Sequence, residues 1–290
     1  MGLEDKLEGG GFAVTAEMAP PKGTDFERFR ECARAVKGRV DAVNVTDFQS
    51  AVVRASSLGA AKILVDEGIE PVMQITGRDR NRIAIQGELL SAAALGIKNV
   101  LALTGDHPTF GDHPQAKGVY DLDSVNILQV ASSLMDGKDL SGNELSGVPD
   151  FYLGASVTPL FDPVELQILK MKKKIQAGAK FFQTQAVYDI EVLKKFMDLV
   201  KDLEVKVLVG VIPLKSPGMA NYMNKNVPGI FVPDEIIDRM RRAENKVREG
   251  LNIAAEFINR VKEEKLCDGV HIMAIGAEEN VPSLLDMCGF

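Results

Sequence analysis

A (β/α)8 barrel is the fold this sequence predicts, and three observations lead to it. The chain has 290 residues, a length at which one such barrel is complete. Short β-branched or apolar runs alternate with longer amphipathic segments from one end to the other. Most of the short runs are almost continuously apolar, VLALTG and VLVGVI being the clearest, as strands buried on both faces of a parallel sheet require. Length alone allows two domains, but eight strand–helix units with one late insertion favour a single domain over residues 1–290.

The expected strands are Phe12–Met18, Val40–Thr46, Glu70–Gly77, Asn99–Gly105, Phe151–Thr158, Ala179–Gln185, Lys206–Pro213 and Gly269–Gly276. Helical patterns fall between them at Asp25–Lys37, Ala55–Glu67, Asn81–Leu95, Leu122–Met135, Pro163–Ala177, Ile190–Leu203 and Pro217–Asn224, with a last one at Asn280–Met287. In the fifth of these, Val164, Ile168, Met171 and Ile175 recur at helical spacing, which makes an apolar stripe for packing against a sheet. Pro233–Lys265 is long enough for two further helices before the eighth strand, with a break expected near Gly250. Asp136–Gly147, DGKDLSGNELSG, reads as an exposed loop, and Gly9–Gly11 as a flexible lead-in. A Rossmann sheet would need G-x-G-x-x-G directly after a strand; none is present, nor is a Walker A sequence.

Composition narrows the function. Apolar residues make up 46% and charged residues 26%, the balance of a globular chain with a sizeable core. The net charge of −7 gives no general attraction to nucleic-acid backbones or anionic membranes. No apolar run approaches the roughly 18 to 20 residues a membrane span needs, and the polar opening MGLEDKLEGGG lacks a signal-peptide core, so a soluble cytoplasmic protein is expected. Cys32, Cys267 and Cys288 are odd in number and widely spaced, which suits a reducing compartment. A cluster held by four thiolates cannot be built from three, so any iron–sulfur centre would come from a partner.

In such barrels the active site forms at the C-terminal strand ends, and polar residues collect there. Glu17 lies inside the apolar run TAEMAPP, where a carboxyl is costly to bury unless paired, hydrogen-bonded or protonated. It serves there either as a proton donor with a raised pKa or as a rim residue bonded to a neighbouring strand. Asp106 follows Gly105 in a turn, so its role is either local or functional, and two carboxyls converging on one mouth weigh more than either alone. Gln183 and Gln185 share a face by period-two geometry, for reading a ligand or for a polar barrel layer. Asn44, Thr46, Asp47, Gln74, Thr76, Thr104 and His271 also fall on or near strand ends. His107 and His113, interleaved with Asp106 and Asp112, match no metal-binding spacing, so a solvated loop and no metal are expected. Asn44-Val45-Thr46 is a sequon without a secretory signal, and Lys172–Lys174 read as a solvated helix face with one member able to reach a phosphate.

FAVTAEMAPPKG, VNVTD, LALTGDHP, AGAKFFQTQAVYD and VGVIP occur here in an order and spacing that resemble the 5,10-methylenetetrahydrofolate reductases, over nearly the whole chain. That resemblance implies a flavin-containing barrel that reduces methylenetetrahydrofolate to 5-methyltetrahydrofolate. By motif, Glu17 is implied as the general acid that protonates N10 of the folate, and Asp106 as the carboxylate that binds the pterin and stabilises the developing cation. Gln185 is implied as a pterin-binding residue, with Gln183 beside it. Thr46, Gln74, Thr104, Gly105, Ala155, Ser156 and Lys174 are the implied flavin positions.

Three of these depart from the family pattern: Gln74 stands where histidine is common, Thr104 where arginine is common, and strand five lacks a frequent tyrosine. FAD is the implied cofactor with FMN open, and the electron donor is NAD(P)H or a reduced iron–sulfur partner subunit. An oligomer is the implied assembly. Two other readings fit the same residues: a pterin-binding methyltransferase barrel without redox chemistry, and a non-catalytic docking subunit of a redox complex.

Overall fold

The computed structural model describes residues 2–290. Eight parallel strands close into a barrel in sequence order: β1 (Ala13–Met18), β2 (Ala42–Val45), β3 (Pro71–Thr76), β4 (Asn99–Leu103), β5 (Tyr152–Val157), β6 (Phe181–Ala186), β7 (Lys206–Val211) and β8 (Gly269–Met273). β8 pairs back onto β1, with Thr15 opposite His271 and Glu17 opposite Met273. Each observed strand lies within or beside the run expected for it, commonly a residue or two shorter, because chain ends leave the ladder before the apolar pattern stops.

Helices follow the strands: α1 (Leu3–Glu8) precedes β1, and α2 (Glu27–Val36), α3 (Ser57–Asp66), α4 (Arg82–Ala94), α5 (Ser124–Met135), α6 (Val164–Gln176) and α7 (Ile190–Val200) fill the first six crossovers. Side chains alternate along each strand. Val14, Ala16, Val43, Val45, Met73, Ile75, Ala155 and Val157 point outward into a continuous apolar layer with the helices. Ala13, Ala42, Val72, Leu101, Tyr152, Phe181 and Leu208 point inward and fill the lower half of the barrel. Gly154 is glycine for this reason: a Cβ there would lie 2.2 Å from the Phe181 ring, which stacks on Tyr152 at 5.2 Å.

Two expectations are corrected. Gly9–Gly11 are no flexible lead-in: they close α1, whose Leu3 and Leu7 are fully buried and stopper the bottom of the barrel. The Tyr152 hydroxyl donates to Glu8 at 2.9 Å and the Leu3 amide to Glu70 at 3.0 Å, which ties the helix down. A six-residue amphipathic turn is too short to show a period, so its polar residues masked two buried leucines.

α8 (Pro217–Asn226) matches the helix expected after β7, and the insertion before β8 does form two helices, α9 (Asp234–Arg242) and α10 (Lys246–Glu263), but its break falls at 243–245. Gly250 lies inside α10, where its missing Cβ lets the helix press on the Leu214 carbonyl; an added Cβ would sit 1.7 Å from that oxygen. Ile212, Leu214, Met223, Val232, Ile237, Met240 and Ile253 form a second apolar cluster that roofs the end of β7. The last helix, α11 (Val281–Cys288), packs on α10 and α2. Among the described residues no helix is long and apolar enough to cross a membrane.

Candidate active site

The upper half of the barrel interior is polar, and each member is delivered by the inward phase of its strand. Thr15, Asn44, Gln183 and His271 are all buried in one layer. Asn44 and Gln183 exchange two amide hydrogen bonds, of 2.7 and 3.0 Å. Gln183 Nε2 also donates to Thr15 Oγ1 at 3.2 Å, and that hydroxyl lies 2.9 Å from His271 Nδ1. The alternative acceptor for the Thr15 hydrogen, the Val270 carbonyl, is farther at 3.4 Å. With the His271 proton on Nε2, the Thr15 hydroxyl donates to Nδ1; with it on Nδ1, the hydroxyl accepts there and donates to the Val270 carbonyl. His271 Nε2 faces Glu17 Oε2 at 3.6 Å, too far for a direct hydrogen bond but close enough for its dipole to orient the carboxyl.

Glu17 stands one layer above, with its side chain 11% exposed. Its two oxygens are held from a strand and from a loop: Gln74 Nε2 on β3 donates to Oε2 at 3.1 Å, and Gln49 Nε2 in the loop after β2 donates to Oε1 at 3.3 Å. Gln74, expected at a flavin position, therefore has its amide on the acid.

The rim around this carboxyl is built by buried ion pairs. Asp47, with no exposed side-chain surface, accepts from Arg80 at 2.7 and 3.1 Å, from the Thr76 amide and hydroxyl at 2.9 Å each, and from Ser57. Arg78, 2% exposed at its side chain, holds Asp79 through Nε and Nη2. The same guanidinium donates to the carbonyls of Phe48 at 3.0 Å and Asp106 at 3.3 Å, joining the loop after β2 to the loop after β4. Tyr120 adds a second donor to the Asp106 carbonyl at 3.1 Å. Gly105 is left-handed at φ 91°, and a Cβ there would lie 3.0 Å from that of Arg78. At the outer edge Lys22 and the Val53 amide both bind Asp112; Lys22 first, then His113, hold its carboxyl well below the usual range.

The other expected site residues divide by where their polar atoms are spent. Asp106 is exposed and Gln185 half-buried, and among the described residues neither the Asp106 carboxylate nor the Gln185 amide makes a hydrogen bond. Both stand at the same end of the barrel as Glu17. Gln183 is consumed by Asn44 and Thr15 inside the polar layer, below the rim.

Thr46 Oγ1 is buried with no hydrogen-bond partner among the described residues, an orphan that a bound molecule would satisfy. Thr104 accepts from the Ser124 amide at the start of α5, and the Ala155 side chain points outward into the helix layer, so neither aims a free polar atom at the mouth. Ser156 alternates inward from Ala155, and its carbonyl accepts from Lys174 at 2.7 Å. Lys174 is 7% exposed; burial, then the neighbouring Lys170 charge, lowers its pKa to about 8.

His107 bonds Thr109 and His113 bonds Asp112, within exposed loop. Among the described residues no group of three or more His, Cys, Asp or Glu side chains is disposed to hold a metal ion. Sequence reasoning missed Gln49, Arg78, Asp79, Arg80 and the pairing of Thr15 with His271. The run GRDRNR, with two arginines beside an aspartate just past an apolar strand, carried the signal for the ion pairs. Nothing local marked Gln49.

Comparison with known proteins points one way. The chain is 24% identical to Methylenetetrahydrofolate reductase 2 of Schizosaccharomyces pombe over 99% of its own length and 47% of that protein's. It is 24% identical to the 5,10-methylenetetrahydrofolate reductase of Escherichia coli strain K12, over 88% of this chain and 83% of that one. It thus spans about half the length of the yeast relative and most of the bacterial one. Among solved structures, a Clostridium thermocellum protein that binds two copies of 5-methyl-5,6,7,8-tetrahydrofolic acid superposes with a TM-score of 0.64 at 18% identity, covering 99% of this chain and 97% of that one. At that identity the likeness speaks for the fold. The methylenetetrahydrofolate reductase family model matches residues 2–289, so this chain belongs to the methylenetetrahydrofolate reductase family.

Proposed function

We propose that this protein reduces 5,10-methylenetetrahydrofolate to 5-methyltetrahydrofolate with the help of a bound flavin. The observation that carries the reading is a single one: Glu17, 11% exposed, sits at the barrel mouth beneath two unengaged polar side chains, Asp106 and Gln185. Family membership supports the activity, and the folate bound by the Clostridium thermocellum protein supports the substrate class.

In this reading Gln185 holds the pterin through an amide that donates and accepts together. Glu17 gives its proton to N10, which opens the five-membered ring and leaves a cation at N5 and the one-carbon unit. Asp106 stabilises that charge, since its carboxylate has no competing partner. Reduced flavin, when bound, would supply the hydride that the one-carbon unit accepts. The proton for Glu17 returns from solvent through its exposed edge.

The residues fit such a cofactor at two points. The orphaned Thr46 hydroxyl would gain a partner, and the Lys174 ammonium, which has one protein acceptor, would meet a phosphate. Thr104, Gly105 and the backbone of Ala155 and Ser156 line the strand ends between them. FAD is the cofactor proposed; FMN shares the ring and one phosphate.

The visible spectrum of the purified protein, with identification of any released flavin, tests the cofactor. Turnover of methylenetetrahydrofolate with NADH, NADPH, or a reduced ferredoxin plus an iron–sulfur partner separates the donors. A colourless protein that cannot be loaded with either flavin, yet binds methyltetrahydrofolate, would contradict the reading and favour methyl transfer.

A further inference from the structure

Glu17 is gripped by two primary amides and by no cation. Gln74 reaches Oε2 from β3, and Gln49 reaches Oε1 from the loop after β2. Among the described residues neither amide makes another hydrogen bond, so either can turn end over end without breaking a further one. An amide presents two N–H donors at one end and a carbonyl acceptor at the other. It therefore matches a carboxylate in one orientation and a protonated carboxyl in the other. Lysine or arginine in the same place would match the carboxylate only.

The loop that brings Gln49 to the acid is built at a conformational cost. Phe48, Ser50 and Ala51 all adopt left-handed backbone, at φ 46°, 56° and 57°, and none is glycine. Such clusters of strained residues persist where surrounding contacts over-determine them. Here Arg78 pins the Phe48 carbonyl, and Gly111 packs so closely on Ala51 that a Cβ would lie 1.8 Å from its carbonyl oxygen. The residue within this segment that reaches the acid, Gln49, is exposed, and among the described residues its one side-chain hydrogen bond is to Glu17.

Taking the assignment of Glu17 as the acid from the reading above, we propose that Gln49 and Gln74 are positioning residues that form a reversible amide clamp. They hold the Glu17 carboxyl at one place both before and after it gives up its proton, each amide rotating as the proton leaves or returns. Other titratable groups at this end of the barrel are His271, which faces Oε2, Asp106, whose carboxylate is unengaged among the described residues, and the sets Asp47–Arg80–Glu88 and Asp79–Arg78, which pair among themselves.

The test uses the parent protein, Gln49→Ala, Gln74→Met and Glu17→Gln. Infrared difference spectra between acid and neutral pH, with Glu17→Gln as the subtraction, read the protonation midpoint of Glu17 and the carbonyl band of its acid form. The clamp predicts that each glutamine variant shifts that band while the midpoint stays within about half a pH unit, because donor and acceptor are lost together. It also predicts a fall in the folate reduction rate of about tenfold to a hundredfold with KM unchanged.

A midpoint that rises by about one pH unit or more would overturn the clamp, because it means the amides act only as donors to the carboxylate. A band and rate equal to the parent's would overturn it as well. Should Glu17→Gln keep the parent rate, the acid assignment fails, and the infrared band and midpoint still decide the clamp. Gln49→Ala alters an exposed side chain and keeps the test open even if Gln74→Met fails to fold.

Discussion

Lys174 is a cation held where water solvates it poorly, and its titration gives the flavin reading a pH signature. Burial brings its pKa from 10.5 to about 8, so below that value it is charged and above it neutral. If it meets a phosphate, flavin affinity falls several-fold as pH rises through about 8 in the parent and stays flat in Lys174→Met, measured by fluorescence titration. Equal slopes in the two proteins would remove Lys174 from the cofactor site. Stability gives the matching sign: the folded value lies below the unfolded one, so the buried charge costs stability below about 8 and ceases to do so above 10.5. Lys174→Met then melts higher than the parent at neutral pH, and the gap closes in alkali. At this scale the sequence was informative where chemistry is local. Glu17 within an apolar strand and Asp106 after a strand-end glycine stand out by their neighbours, whereas Gln49 and the Thr15–His271 contact arise from residues brought together by closure of the barrel.

Elements carry the site in two ways, by filling the barrel below it and by shaping loops above it. Leu7 on α1 is fully buried in the lower stopper, and Leu7→Ala should cost about 2–5 kcal/mol in urea unfolding. Because the stopper lies at the opposite end of the barrel from Glu17, flavin content and spectrum should be unchanged in that variant; loss of flavin would mean that the two ends are coupled. Gly111→Ala acts on the other end. Its Cβ has no room beside the Ala51 carbonyl, so the loop must move and take Gln49 with it. A slowing of folate reduction by about tenfold with little change in melting temperature is expected, and a parent rate would show that the loop does not position the acid. Strand identity was legible because buried parallel strands are continuous apolar runs. The α1 stopper and the place of Gly250 were not, because one depends on two leucines in a polar hexapeptide and the other on a close approach between distant backbone segments.

The whole molecule joins these parts as an acidic barrel with net charge −7, closed at one end by a helix and open at the other. The closed sheet follows from eight alternating units, and the polar upper layer from the inward phase of the same strands. Family at this scale was legible through motif order, and Glu17, Asp106 and Gln185, which come from three different strand ends, all stand at one end of the closed barrel. Donor and assembly are different: Cys32 and Cys288 are buried and Cys267 is half-buried, and three thiols do not make a four-thiolate cluster, so a ferredoxin-type route would run through a second protein. That Glu17 moves the proton in a flavin-dependent reduction of folate is read by anaerobic mixing of the reduced, flavin-loaded protein with 5,10-methylenetetrahydrofolate, where N10 must be protonated before the hydride leaves the flavin. Return of the oxidised flavin absorbance is expected in the parent, and the same return slowed by about 10² to 10⁴ in Glu17→Gln at equal flavin content. Reoxidation of both proteins at one rate would rule out Glu17 as the acid.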